Sequence, residues 1–312
     1  MGHALDPVSS LAVGGALYIV FSNVSIVNSN FTDNIAEIGG ALFAHNSSLH
    51  IVGSTCSYNR AGAITMPPDF FSVNTDNHSD TDGPGAGDNF QRGGVMFISN
   101  SSFSITNSTF TDNTAAQNGG VMVTLDSSCT ITNSTFTSNR VGSFGGIVCS
   151  SGSTYDITSS AFTDNSAAFG GGAMEISDSS FNIVNSSFTD NSATLGGFGG
   201  AFDIYDSSVN TTSCTFINNS AAGGGGVIIT SGSSFKFVSS IFYANKANGY
   251  GGIMIAIECS ILVIDGMFNR NSGSIYIFDS NLTFSGHTRF ENCTEPRNKT
   301  NTGSSFILSR VD

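Results

Sequence analysis

Nine Gly-Gly pairs recur along this chain, and fixed distances separate each pair from a phenylalanine position and an asparagine. The seventeenth residue after the first glycine is phenylalanine in eight repeats and Cys56 in the other, and the twentieth is always asparagine, from Asn34 to Asn271. Length varies only between the asparagine and the next pair, so we interpret that segment as a tolerant loop. The pairs begin at Gly14, Gly39, Gly93, Gly119, Gly145, Gly171, Gly199, Gly225 and Gly251.

A repeat of about 26 residues indicates a solenoid, a propeller or an array, and the content of one repeat decides among them. Residues 95–98, 103–106 and 109–111 are short runs of β-forming residues separated by Gly, Asn and Ser. These runs are too few for a propeller blade, and no stretch has helical spacing of apolar residues. We therefore predict an all-β fold, a right-handed single-stranded parallel β-helix of about 10 or 11 rungs.

The strand runs alternate between apolar and polar positions. The tenth and twelfth residues after the first glycine are mostly apolar, as in Phe103 and Ile105, whereas the residue between them is polar in eight of nine repeats. In a parallel coil equal positions stack at about 4.8 Å, so we expect apolar ladders facing inward. We also expect the asparagines to satisfy buried backbone groups, and the glycines to supply positive φ or close approach.

The repeats divide the chain into an N-terminal edge segment, residues 1–13, and one repeat domain, residues 14–312. Residues 61–92 form the one long insertion, which we expect to protrude at the loop corner. Residues 303–308 resemble the start of another rung, which predicts that the solenoid continues or that copies stack end to end.

Composition favours an extracellular shaft. Charged residues are only 11% of the chain and the formal net charge is −13, which argues against nucleic acid as a partner. No apolar run is long enough to span a bilayer. We expect an extracellular or cell-surface location, with a cell-surface protein or glycan, or further copies of the chain, as partner.

The combined motifs resemble the polymorphic outer membrane proteins of chlamydiae, which are autotransporter passengers with GG-(A/L/V/I)-(L/I/V/M) and FxxN repeats. The matching segments include Gly14-Gly15-Ala16-Leu17 and Gly93-Gly94-Val95-Met96, and Phe31-Thr32-Asp33-Asn34 and Phe162-Thr163-Asp164-Asn165. The resemblance covers nearly the whole chain and implies a surface-displayed adhesive or structural passenger. The first residues lack signal-peptide features and the last ones carry no translocator barrel, so we expect a fragment of a longer surface protein or another lineage using the same repeat.

Thirteen Asn-X-Ser/Thr sequons are glycosylation candidates in a eukaryotic secretory route, although an Asn- and Ser-rich repeat also generates sequons by itself. They begin at Asn23, Asn30, Asn46, Asn77, Asn100, Asn107, Asn133, Asn185, Asn210, Asn218, Asn281, Asn292 and Asn298.

The insertion supplies further candidates, because long loops on rigid scaffolds often carry function. Phe70 and Phe71 are candidates for partner binding. Its aspartates could surround Ca²⁺ but lack the EF-hand spacing, and a solvated loop is the preferred interpretation; they are Asp76, Asp80, Asp82 and Asp88. No Cys or His spacing indicates zinc, and we expect no metal and no cofactor. Cys259 and Cys293 are the one pair to test for a disulfide.

Glu175 and Asp203 carry the enzyme alternative. Both are the fourth residue after the first glycine, on neighbouring rungs, so their backbones should lie about one strand spacing apart. Polysaccharide lyases and hydrolases with this fold use acidic residues, but the register places no Arg, Lys or His nearby. We interpret the two acids as a pair on an exposed strand. The predicted function is a non-enzymatic structural or adhesive shaft that displays loops for adhesion or assembles end to end into a fibre. The alternative is a polysaccharide-active lyase or hydrolase that uses Glu175 and Asp203.

Overall fold

The computed structural model describes residues 13–62, 93–273 and 275–293, together with the backbone of residues 305–308. These residues contain short strands and no helix, and every strand pairs in parallel with its counterpart one rung away. The fold is a right-handed parallel β-helix, as predicted. Residues 1–12 and 63–92 lie outside the described residues, and so does nearly all of the predicted insertion.

Two long sheets form most of the coil wall. Sheet 1 contains the strands that follow the Gly-Gly pairs: Leu17–Val20, Leu42–His45, Met96–Ser99, Met122–Leu125, Val148–Ser151, Met174–Ser177, Phe202–Tyr205, Ile228–Ser231, Met254–Ile257 and Ile275–Phe278. Sheet 2 contains Asn23–Val27, Ser48–Val52, Ser102–Thr106, Ser128–Thr132, Thr154–Thr158, Ser180–Val184, Ser208–Thr212, Ser234–Val238, Ser260–Ile264, Asn281–Ser285 and Ser305–Leu308. The strand at Ser305–Leu308 pairs with Asn281–Ser285, so a further rung is present, but this segment lies in sheet 2 and not, as predicted, at the start of a rung.

Two narrower sheets complete the wall. Sheet 3 contains Asn30–Thr32, Thr55–Ser57, Thr109–Thr111, Thr135–Thr137, Ala161–Thr163, Ser187–Thr189, Thr215–Ile217, Ile241–Tyr243, Met267–Asn269 and Arg289–Glu291. Sheet 4 contains Ile35–Ala36, Arg60–Ala61, Thr114–Ala115, Arg140–Val141, Ser166–Ala167, Ser192–Ala193, Ser220–Ala221 and Lys246–Ala247. The sequence predicted three strands a rung and missed sheet 4, because two residues are too short for a visible alternation.

The apolar ladders predicted from the register form one continuous core. The rings of Phe110, Phe136, Phe162 and Phe188 are fully buried and stack with centroid distances of 4.9, 5.0 and 4.7 Å. Each buried ring contributes roughly 1.5–3 kcal/mol of hydrophobic free energy, so successive rungs stabilise each other without a globular centre.

The asparagine ladder satisfies the backbone of the turn after sheet 3. Asn139 donates from Nδ2 to the carbonyl of Phe110 at 3.1 Å and to Oδ1 of Asn165 at 3.0 Å. Its backbone N–H donates to the same Oδ1 at 3.0 Å. The same bonds recur along the described ladder, which confirms the role predicted for these residues.

Two serine ladders satisfy backbone N–H groups at two other turns of each rung. The backbone N–H of Ser101 donates to Oγ of Ser127 at 3.2 Å, and that of Ser108 to Oγ of Ser134 at 3.1 Å. These ladders were not predicted, although serine recurs eight and fifteen residues after the first glycine in most repeats. Cys259 and Cys214 replace serine at these two positions and still make the ladder contacts.

Four corners of a rung adopt left-handed backbone conformations in every repeat except the one that begins at Gly93, as in the rung that begins at Gly171, whose φ is 59°. In that rung Asp178, Asn185 and Asp190 follow with φ of 49°, 50° and 56°. Asn and Asp tolerate this region better than other side chains. The second glycine of a pair is needed for space, because a Cβ on Gly172 would overlap the carbonyl oxygen of Gly200 on the next rung.

All six cysteines are free. Cys259 and Cys293 do not form a disulfide, because Cys259 lies in a serine ladder while Cys293 accepts a bond from Asn271 in the asparagine ladder. Cys56 and Cys129 are buried in apolar ladder positions.

Candidate functional site

Glu175 and Asp203 lie on the outer face of sheet 1. Their Cα atoms are register partners on neighbouring strands, as predicted. The residues on either side of Glu175, Met174 and Ile176, face the core, so the carboxylate points outward.

The expectation that this pair is exposed is wrong. Glu175 is 8% exposed and Asp203 only 2% exposed. The loop residues that precede the Gly-Gly pairs lean over this face, and isolated parallel bridges join Phe144, Gly170 and Phe198 into a cover. Gly170 lies so close to Asp203 that a Cβ there would overlap its Oδ2. The loop that ends at Gly170, one rung before Asp203, therefore contributes to the burial of Asp203.

Two neighbouring side chains interact with the acids. The thiol of Cys149 donates to Oε2 of Glu175 at 3.0 Å. Tyr205 lies two residues after Asp203 on the same strand face, and its hydroxyl partly offsets the rise in the pKa of Asp203. Oδ1 of Asp203 is buried and has no hydrogen-bond partner among the described residues. The site is thus a row of Cys149, Glu175 and Asp203 across three rungs, closed at one side by Tyr205.

Burial shifts the proton affinities of this row. Desolvation raises the pKa of Glu175, which the bond from Cys149 partly offsets. Desolvation, and then the charge of Glu175, raise the pKa of Asp203 well above its usual range. Burial likewise raises the pKa of the Cys149 thiol. These are the conditions under which a carboxyl group holds a proton at higher pH than in water.

Among the described residues, no Lys, Arg or His forms an ion pair with Glu175 or Asp203. The ion pairs of the described residues that the structure shows, Arg140 with Asp164 and His287 with Asp265, lie elsewhere. Within residues 13–62, 93–273 and 275–293, no three His, Cys, Asp or Glu side chains are grouped so as to hold a metal ion. The raised pKa values of the two acids suit proton storage and donation.

The other predicted sites are dispersed. Of the insertion candidates, Phe70, Phe71, Asp76, Asp80, Asp82 and Asp88 lie outside the described residues, as do the sequons at Asn77 and Asn298. The other eleven sequon asparagines are all exposed. Among the predicted site residues that the structure describes, it brings together Glu175 and Asp203. It adds Cys149 as a hydrogen-bond donor to Glu175 and Tyr205 as a neighbour of Asp203. Tyr205 could have been found from strand alternation, because residues two apart share a face.

The comparisons agree with the fold. Residues 86–211, less than half of the chain, match a family model described as a right handed beta helix region. No curated protein and no solved structure gives a significant match. The chain is a β-helix repeat protein. Among the described residues there is no helix with the length and apolar character needed to cross a membrane.

Proposed function

We propose that this protein is a non-enzymatic extracellular repeat module, a rigid shaft that displays its corners and loops for adhesion or assembles into a surface fibre. The observation that carries the proposal is the unbroken register of core and polar ladders over successive rungs. Each rung contacts its neighbours along four sheets, so bending would break many contacts at once. The small share of charged residues, 11%, and the formal net charge of −13 fit a surface polymer.

The resemblance to the polymorphic outer membrane proteins supports the same role. Gly14-Gly15-Ala16-Leu17 and Phe162-Thr163-Asp164-Asn165 match the two motifs of those passengers, and the glycine and asparagine of these motifs form the corners and the polar ladder. We propose that the chain uses this repeat for surface display, with a cell-surface protein or glycan, or a further copy, as partner.

Three measurements test this function. Antibody labelling of intact and permeabilised source cells reports location, and electron microscopy of the native material reports shape. We expect labelling of intact cells and rods of about 50 Å, or longer fibres built from them, since ten rungs stack at the strand spacing. Binding of coated beads to partner cells then reports adhesion. Labelling only after permeabilisation, or compact particles, would overturn the proposal.

A polysaccharide-active enzyme is the second candidate, and the pair of Glu175 and Asp203 favours it. Acids with raised pKa values on adjacent strands suit acid and base roles, because retaining glycosidases place two carboxyl groups at about 5 Å. The test is release of reducing ends from acidic and neutral polysaccharides by the wild type, Glu175→Gln and Asp203→Asn. Cleavage that either substitution abolishes would establish the enzyme, and the absence of cleavage by the wild type would remove it.

A further inference from the structure

We propose that the exposed sequon asparagines of this coil are N-glycosylated. We also propose that each folded molecule carries a glycan on either Asn107 or Asn133, which lie one rung apart at the same corner, and never on both. The inference rests on the extracellular location proposed above. It concerns a modification whose positions follow from the geometry of the coil.

Exposure divides the asparagines into two chemical groups. The ladder asparagines from Asn59 to Asn271 are buried and donate both amide hydrogens within the coil. None of them begins a sequon, because the second residue after each is Ala, Val or Gly. That position lies in sheet 4, whose Ala61, Ala115, Val141 and Ala167 form a small buried cluster.

The sequon asparagines are exposed at the places that a transferase can reach. Seven of the eleven described ones occupy left-handed corners, for example Asn46 with φ 49° and Asn185 with φ 50°. The others lie on strands of sheets 2 and 3. None lies on a strand of sheet 1 or sheet 4 within the described residues. Turns on the surface are the usual setting of acceptor sequons, so the coil presents glycans around two of its four sheets.

The transfer that we propose uses the amide nitrogen as acceptor. Nδ2 forms a bond to C1 of an oligosaccharide carried on a lipid diphosphate. The bond between C1 and the diphosphate oxygen breaks, its electron pair leaves with the lipid diphosphate, and one Nδ2 proton passes to a base of the transferase. The buried ladder amides cannot enter this reaction without unfolding of their rung.

Asn107 and Asn133 present the same acceptor twice. Both begin the sequence Asn-Ser-Thr, and their corners have φ of 49° and 48°. Nδ2 of Asn133 donates to Oδ1 of Asn107 at 2.6 Å, and Oγ1 of Thr135 donates to Oγ1 of Thr109 at 3.2 Å. The two acceptor amides therefore project side by side about 4.8 Å apart. A branched glycan core is wider than one strand spacing, so the folded corner accommodates one glycan.

One tryptic peptide contains both asparagines and shows whether they are glycosylated in the same molecule. Cleavage after Arg92 and Arg140 yields residues 93–140, which carry Asn100, Asn107 and Asn133. We expect this peptide of the full chain, secreted from animal cells behind a cleavable signal sequence, to carry a glycan at Asn107 or at Asn133. Asn100 stands one rung from Asn46 at another corner, so its occupancy is limited by Asn46 and is independent of that choice. We expect no secreted molecule with glycans at both Asn107 and Asn133. A chain that receives both before folding cannot close this corner and is retained.

Matched variants sharpen the test. Asn107→Gln is expected to raise the occupancy of Asn133 about twofold, because two equal acceptors no longer exclude each other. Asn100→Gln, which removes a sequon of the same rung at a different corner, is the control and should leave Asn133 unchanged. Secreted peptide 93–140 carrying glycans at both Asn107 and Asn133 would overturn this exclusion.

The native protein tests the modification itself. Peptide N-glycosidase treatment in ¹⁸O-water, followed by mass spectrometry, should mark exposed sequon asparagines and leave the ladder asparagines unmarked. Unmarked sequons in protein recovered from the outer surface of intact cells would overturn the glycan proposal and leave the extracellular function standing. Unmarked sequons in protein found only inside cells would overturn both.

Discussion

Oδ1 of Asn165 accepts two hydrogen bonds from Asn139, one from the side-chain Nδ2 and one from the backbone N–H, each at 3.0 Å. Asn165 also donates to the carbonyl of Phe136 at 3.0 Å and to Oδ1 of Asn191 at 3.0 Å. One amide thus satisfies groups on both neighbouring rungs, and all of them are buried.

Asn165→Ala should therefore lower the free energy of unfolding by roughly 3 kcal/mol or more, because each orphaned buried group costs about 1–3 kcal/mol. Urea denaturation followed by circular dichroism measures the change. Asn182→Ala removes an exposed asparagine on sheet 2 and is the control, expected within about 0.5 kcal/mol of the wild type. Equal losses for the two variants would contradict the role of the ladder.

The buried acids predict a pH dependence of stability. Their pKa values are raised in the fold, so the folded protein binds protons more tightly than the unfolded chain. The stabilisation is complete below the unfolded pKa of about 4 and is lost as the pH rises through the raised values. Glu175→Gln removes one of these titrations and keeps an oxygen for Cys149.

We expect Glu175→Gln to melt at a higher temperature than the wild type at pH 8, with the difference shrinking towards pH 4. Melting curves across this range measure the trend. Asp156→Asn, on the exposed face of sheet 2, controls for the loss of one negative charge. A constant difference at every pH would show that burial of the acid has no energetic consequence.

Substitutions at Gly152 and Gly196 distinguish the cost of a strained backbone from the cost of a steric clash. Both have positive φ, 62° and 74°. A Cβ on Gly152 would overlap Oδ1 of Asp126, one rung earlier, whereas a Cβ on Gly196 would meet nothing within 4 Å. Gly196→Ala should cost about 1 kcal/mol from strain alone, and Gly152→Ala clearly more.

The excess cost at Gly152 should disappear when Asp126 is replaced by glycine, which removes the carboxylate without straining the left-handed corner. A double-mutant cycle of Asp126→Gly and Gly152→Ala, read from denaturant midpoints, measures this coupling. Additive effects of the two changes would show that Asp126 and Gly152 do not interact.

The six thiols should react in two classes. Burial raises the pKa of Cys56 to about 12 and also raises the pKa of Cys129 and Cys149, so their reactive thiolate forms are scarce in the fold. Cys293 is only half-buried. Iodoacetamide should label Cys293 in the native protein and the other five cysteines only after unfolding, as mass spectrometry of the peptides will show. Native labelling of Cys129 would contradict the closed core.

The register of Gly-Gly, Phe and Asn was enough to predict sheets 1 to 3 and the core, because each apolar position repeats at a constant offset. It also placed Glu175 beside Asp203. It did not reveal their burial, because the residue that covers Asp203 is Gly170, which belongs to the variable loop of the preceding rung. The alternation of apolar and polar residues in short strands predicts the sheets of the coil. The path of a loop over the outer face of a sheet depends on tertiary packing, which this alternation does not report.

The constant distance from each Gly-Gly pair to its asparagine makes a rung a removable unit. Excising residues 145–170 would join Phe144 to Gly171, and Gly145 and Gly171 are equivalent corners with φ of 68° and 59°. Each apolar, serine and asparagine ladder would continue across the new junction, because residues at equal positions of the two rungs would stack. Tandem duplication or loss of the gene segment that encodes one rung can therefore lengthen or shorten this shaft by about 4.8 Å at a time. The length of the shaft then depends on the number of repeats in the gene.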